Sequence, residues 1–147
     1  MKTIAEYIRR MGKSRGFGIQ SPWAYTFVTE VIGERNPYYA YADIDKRYPR
    51  NQRKRQRLYH RIQNFAYPHR TYITNIAHSE DILRQLCRMA APHGIVIIED
   101  IHRDKTSREQ WLALRDSEIV GITFDLYDFA ICFMDRQIHK QHYKLNF

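Results

Sequence analysis

Glu99-Asp100-Ile101-His102 follows directly on the apolar run Ile95-Val96-Ile97-Ile98. In open α/β sheets, ligands sit outside the carboxyl ends of the strands. An acidic pair and a histidine placed there stand where chemistry is usually done. Asp100 could hold a divalent metal, orient a cofactor or act as a base, and His102 can take or give a proton near neutral pH. The structural alternative is that these side chains close the strand and pair with Arg103, Lys105 or Arg108.

A second set of residues carries charge rather than acid–base chemistry. Arg50, Lys54, Arg57 and Arg61 recur at spacings of 4, 3 and 4, so a helix would gather them on one stripe. With Tyr48 and Tyr59 nearby, the stripe could follow a phosphate backbone as a weak polyanion site. It could equally be a solvated face whose Arg stems cover apolar surface. Tyr38-Tyr39-Ala40-Tyr41 could stack bases, or pack on the core or on a partner subunit. The net charge of +8 is uneven: residues 1–70 hold 15 Lys+Arg against 5 Asp+Glu, and residues 71–147 hold 9 against 11. The basic half is the half to which an anionic partner is assigned.

Other chemistries find no footing. There is no P-loop, no H-E-x-x-H and no G-x-S-x-G. Gly16-Phe17-Gly18 has Ser21 where a dinucleotide loop needs its third glycine, and it follows a helix pattern instead of a strand. His60, His69, His78, His93, His139 and His142 form no local metal pattern, so no metal is expected. Cys87 and Cys132 read as small core residues in a reducing compartment. No run of 18 apolar residues spans a membrane, and the N-terminus lacks an apolar signal core. These features point to a cytoplasmic protein of one domain, long enough at 147 residues to bury about 70% of its unfolded surface.

The elements that must position these residues follow from periodicity. Ile4, Tyr7, Ile8 and Met11 predict a short amphipathic helix over 2–11. Residues 12–18 form a loop, and Ser21-Pro22 opens a helix that runs to Gly33. Residues 36–50 read as an irregular arm with room for a helical turn. A helix follows over 51–66, with Leu58, Ile62 and Phe65 on its buried face and Tyr59 and Ala66 beside it. A strand is expected over 71–76, then a helix capped by Ser79 and ended by Pro92 and Gly94. Ile95–Ile98 suits a strand covered on both faces. Thr106-Ser107-Arg108-Glu109 offers a capping box for a helix carrying Trp111. Strands close the chain at 119–126, 129–134 and 141–147.

Residues 94–147 resemble the C-terminal half of class I S-adenosylmethionine-dependent methyltransferases, in the small O-methyltransferase-like branch. The resemblance rests on Pro92-His93-Gly94 through His102, the Trp111 helix, Phe124-Asp125-Leu126-Tyr127-Asp128-Phe129-Ala130-Ile131 and Lys140-Gln141-His142-Tyr143. Gly16–Trp23, Tyr38–Tyr41 and Leu58–Phe65 resemble the helical lead of such proteins.

The resemblance implies a Rossmann-like α/β fold, shortened to about five mixed strands. Residues 1–67 would be a basic helical lead, and residues 68–147 the C-terminal half of the sheet. Of the family's functional positions only Asp100 has a counterpart, with His102 beside it. Thr74 and Asn75 stand where the family has an aspartate. Residues 71–76 match either the family's first strand or its fourth, and the cofactor-binding glycine loop is absent. The expected function is therefore that of a methyltransferase-like protein without cofactor or catalysis, structural or regulatory, and prone to self-association. The alternatives are an active methyltransferase binding S-adenosylmethionine in a site completed by another subunit, and a basic nucleic-acid-binding module.

Overall fold

The computed structural model describes residues 2–11, 18–79, 81, 84–85, 94–135 and 139–147. The protein is α/β, with a five-stranded mixed sheet and helices on both faces. The helices are α1 (Ile4–Arg10), α2 (Pro22–Thr26), α3 (Ala40–Arg47), α4 (Arg50–Ala66) and α5 (Lys105–Asp116). The strands are β1 (Thr71–Asn75), β2 (Ile95–Glu99), β3 (Thr123–Asp125), β4 (Phe129–Phe133) and β5 (His142–Lys144).

Sheet order is β1-β2-β4-β3-β5. The pairs β1–β2 and β3–β5 are parallel, and β4 is antiparallel to both β2 and β3. Four strands therefore point one way, and their carboxyl ends share one edge with the β3–β4 turn. Alternation along β2 splits the core. Ile95 and Ile97 pack with the helical lead, including Phe27, Leu58 and Ile62. Val96 and Ile98 pack with Trp111 of α5. Trp23 and Phe27 stack at 5.8 Å, and both meet Phe133 edge-on, which seats the lead on the sheet.

Several elements depart from the sequence reading, each for a local reason. The apolar stripe of α1 faces solvent: Ile4, Tyr7, Ile8 and Met11 are all exposed, while Arg10 is fully buried. The second helix changes pitch to a π-helix over Phe27–Ile32. There the Thr29 hydroxyl donates to the Tyr25 carbonyl (2.9 Å), and the Gly33 amide reaches back five residues to Val28 (2.8 Å). A Cβ on Gly33 would lie 3.1 Å from the Val28 carbonyl oxygen.

The 36–50 arm holds an eight-residue helix, α3, between its two prolines. Phe65 is 42% exposed, its ring held at the rim by Trp23 and Phe27. Asp104, not Thr106, caps α5: its carboxylate accepts from the Ser107 amide at 2.7 Å, a bond that lowers its pKa. The closing strands are shorter than the patterns at 119–126 and 141–147, because the sheet pairs only Thr123–Asp125 with His142–Lys144. The Ser79 hydroxyl donates to the Ile76 carbonyl (2.8 Å). Most of the expected 79–94 helix (80, 82–83 and 86–93, with Cys87 and Pro92) and Gly16-Phe17 lie outside the described residues. Cys132 is a free thiol, and burial raises its pKa.

Candidate functional site

Two polar sites stand out, and they differ in chemistry. The first lies along the carboxyl edge of the sheet. Asp100 leaves β2 with φ 63°, and its amide donates to the Asp128 carbonyl at 2.8 Å. Its carboxylate accepts from the Asn75 side chain at the end of β1. Asn75 in turn accepts from the Ala77 amide at 3.1 Å. Asn75 therefore closes β1 and holds one oxygen of the Asp100 carboxylate at once.

Beside it, Glu99 accepts from the Tyr59 hydroxyl (2.7 Å) and lies 3.5 Å from Arg55, tying β2 to α4. Burial, followed by the hydrogen bond to Glu99 and then the Glu99 charge, pushes the Tyr59 hydroxyl pKa far above its usual range. The carboxylates thus pair with Asn75, Tyr59 and Arg55, and not with the Arg103, Lys105 or Arg108 that sequence proximity offered.

His102 turns away from Asp100, toward the end of β3. Its Nε2 lies 2.9 Å from Asp125 Oδ2, and its ring stacks on Tyr127 at 5.0 Å. His102 Nδ1 is buried and meets no partner among the described residues. Arg10 enters from α1 and donates to the Asp125 carboxylate (2.8 Å), the Asp125 carbonyl (2.8 Å), the Leu145 carbonyl (3.3 Å) and Glu6 (2.9 Å). Burial opposes the charge on Asp125. Hydrogen bonds from His102 and Arg10 outweigh it and hold this carboxyl well below the usual carboxylate range. The structure thus separates the two sequence candidates: Asp100 belongs to a β1–β2 lock, and His102 to a buried charge cluster. Among the described residues, no group of three or more His, Cys, Asp or Glu side chains could hold a metal ion.

The second site is a cleft of about 690 Å³ on the helical lead. Its walls come from α4, α3, the 32–35 segment that follows the π-helix, and Asn146-Phe147 after β5. All four residues of the sequence stripe line it: Arg50, Lys54, Arg57 and Arg61. Arg35 and Arg53 join them, and Glu34 and Asp45 are the acidic side chains of the wall.

The cations are held in different ways. Arg61 donates to the Val31 (2.7 Å) and Ile32 (3.2 Å) carbonyls and to the Tyr41 hydroxyl (2.8 Å), so it caps the π-helix without losing charge. Arg57 forks onto Asp45 and lies over the Tyr41 ring at 4.9 Å. Arg53 donates to the Tyr48 carbonyl at 3.0 Å. Lys54 sits 4.3 Å from the centre of the Phe147 ring. Although the side chain is exposed as a whole, desolvation within the cleft and then the Arg61 charge lower its pKa. Arg35, Arg50 and Lys54 make no ion pair among the described residues.

The sequence pattern found the stripe but not the cleft. Arg35 and Arg53 fall off the 4-3-4 spacing, and α3, which makes the surface concave, is framed by Pro37 and Pro49. Asp125 and Arg10 were also missed as a pair, since 115 positions separate them. Comparison with known protein families, with curated proteins and with solved structures finds no match.

Proposed function

We propose that this chain is a methyltransferase-like protein without methyl-transfer activity that binds a multiply charged anion in the cleft of its helical lead. The observation that carries this reading is the cleft lining: six cations against two carboxylates around about 690 Å³. Cations confined in a concave, partly desolvated site focus their field outward, and an anion relieves their mutual repulsion. Arginine forks suit phosphate-like oxygens in particular.

The non-catalytic part of the reading draws on the carboxyl edge. Asp100 is the position the methyltransferase resemblance marks for function, and its carboxylate is engaged by Asn75. His102 bonds Asp125 through one nitrogen and buries the other. Both candidate side chains are thus held in polar contacts of the fold itself. No glycine lies between Gly33 and Gly94 in the sequence, so β1 carries no loop that lets a backbone approach a nucleotide cofactor. The parallel β1–β2 pair beside a β3–β4 hairpin fits a shortened Rossmann-like sheet of the methyltransferase type.

Self-association belongs to the same proposal. β1 is an edge strand in the described sheet, and its Ile73 is 45% exposed; a second copy would cover it.

Heparin-affinity retention and titration with S-adenosylmethionine test the reading together. The protein is expected to bind heparin at low salt and release it with a log–log slope of about −3 to −4, to lose retention in Arg50→Gln/Lys54→Gln, and to give no heat with S-adenosylmethionine. Unchanged retention in the variant, or micromolar cofactor binding, sinks it.

A further inference from the structure

The basic cleft has a shape and a charge distribution that narrow its ligand. We infer that it takes a compact small molecule bearing a di- or triphosphate group, with Arg35, Arg50 and Lys54 as the contacting cations. This rests on the anion-binding reading above and adds the ligand class.

Size comes first. About 690 Å³ falls within the range of roughly 300–1,000 Å³ occupied by small-molecule sites. The four walls converge on one hollow, whereas a nucleic-acid reader spreads its cations along a track.

Charge comes second. Asp45 cancels Arg57, and Glu34 is turned onto its own loop, where it accepts from the Arg35 and Asn36 amides at 2.7 and 2.8 Å. Six cations and two carboxylates leave a formal surplus of four. A triphosphate group carries about four negative charges, a single phosphate ester close to two. Arg57 and Arg61 are fixed by the fold and supply field and shape. Arg35 and Arg50 are uncommitted by comparison, and Lys54, which lies over the Phe147 ring, makes no ion pair among the described residues.

The aromatic rings come third. Reading a single strand needs open π-faces on which bases can stack. In the cleft, Arg57 lies over Tyr41, which also packs against Tyr38, and Lys54 lies over Phe147, which meets Phe129 edge-on. The protein's own cations already use these rings. Recognition here is by charge and not by stacking, which favours the phosphate cluster over a strand of bases.

The test is calorimetric titration of the full chain with inorganic tripolyphosphate, orthophosphate and a short single-stranded oligonucleotide at one ionic strength. One tripolyphosphate is expected to bind per chain, at least about tenfold tighter than orthophosphate. It should displace any bound oligonucleotide. Arg50→Gln/Lys54→Gln should weaken it at least about tenfold with an unchanged circular dichroism spectrum, since neither side chain holds the fold together. Lys54→Arg should retain binding.

If the oligonucleotide binds through these residues and tripolyphosphate neither binds nor displaces it, the inference is wrong while the anion-binding reading survives. If neither they nor heparin bind, both fall. Tripolyphosphate affinity that is unchanged in the double variant also overturns the inference, because the site is then elsewhere.

Discussion

Replacing Asp125 with asparagine tests the buried charge cluster that joins α1 to the sheet. Asp125 is 4% exposed, and the side chain of Arg10 is 1% exposed. Removing one member of a buried ion pair costs about 3–5 kcal/mol, because it strands the other charge. Two features place Asp125→Asn at the low end. Asparagine keeps one acceptor oxygen, and Glu6 still holds Arg10 Nε at 2.9 Å. The expected loss is about 3 kcal/mol. With a urea m-value of about 2 kcal/mol/M, the unfolding midpoint should fall by about 1.5 M. At about 2–4 °C per kcal/mol for a chain of this size, Tm should fall by about 6–12 °C.

Acid supplies the internal control. The folded Asp125 carboxyl titrates well below its unfolded value of about 3.9. Its stabilisation is therefore fully present above that value, and it is lost as pH falls below it toward the folded pKa. The gap between wild type and variant should be constant from neutral pH to about 5 and narrow below about 4. Urea titrations at several pH values read both quantities. A loss under about 1 kcal/mol, or a gap that stays constant into acid, would falsify the account of this cluster.

Other features give sharper local tests. Gly121→Ala should destabilise the fold by about 1–3 kcal/mol in the same titration, because its Cβ would lie 2.5 Å from the Asp135 carbonyl oxygen; a neutral effect would contradict the close approach of the segment before β3 to the end of β4. Tyr59→Phe should cost about 1–2 kcal/mol by leaving Glu99 to Arg55 alone, and an unchanged midpoint would place that bond outside the fold's stability. Sedimentation velocity should show concentration-dependent association that Ile73→Lys suppresses, since a charge on an edge strand blocks pairing; a monomer at all concentrations would remove the sheet edge as an interface.

The sheet was legible where one segment carried its own signal. Ile95–Ile98 is β-branched, uninterrupted and buried on both faces, and the strand appears there. The 4-3-4 spacing placed four cations on one side of α4, and they do share a wall. What sequence could not supply was the partner across space. The apolar spacing of α1 marks a helix, but its orientation is decided by Arg10, whose acceptors lie in Asp125 and Leu145. Likewise, Asp100 and His102 stand two residues apart, yet the positive φ of Asp100 sends one toward β1 and the other toward β3. Helix α3 was obscured because tyrosines and flanking prolines suggested an arm, whereas Tyr41 and Asp45 earn its place by holding Arg61 and Arg57.

Arg10 also imposes an order on synthesis. It is made well before its acceptors, which lie 115 and 135 positions later in the chain. Until β3 and the residues after β5 are made, Glu6 is the partner within reach of this guanidinium, and the chain cannot bury it. Asn146, just after β5, donates to the Tyr7 carbonyl at 2.9 Å and fastens the same helix. Docking of α1 is therefore a late event, since loop closure over such a span waits until β5 has emerged. Until then the N-terminal segment remains open to proteases and chaperones, while the helices and strands between can already pack.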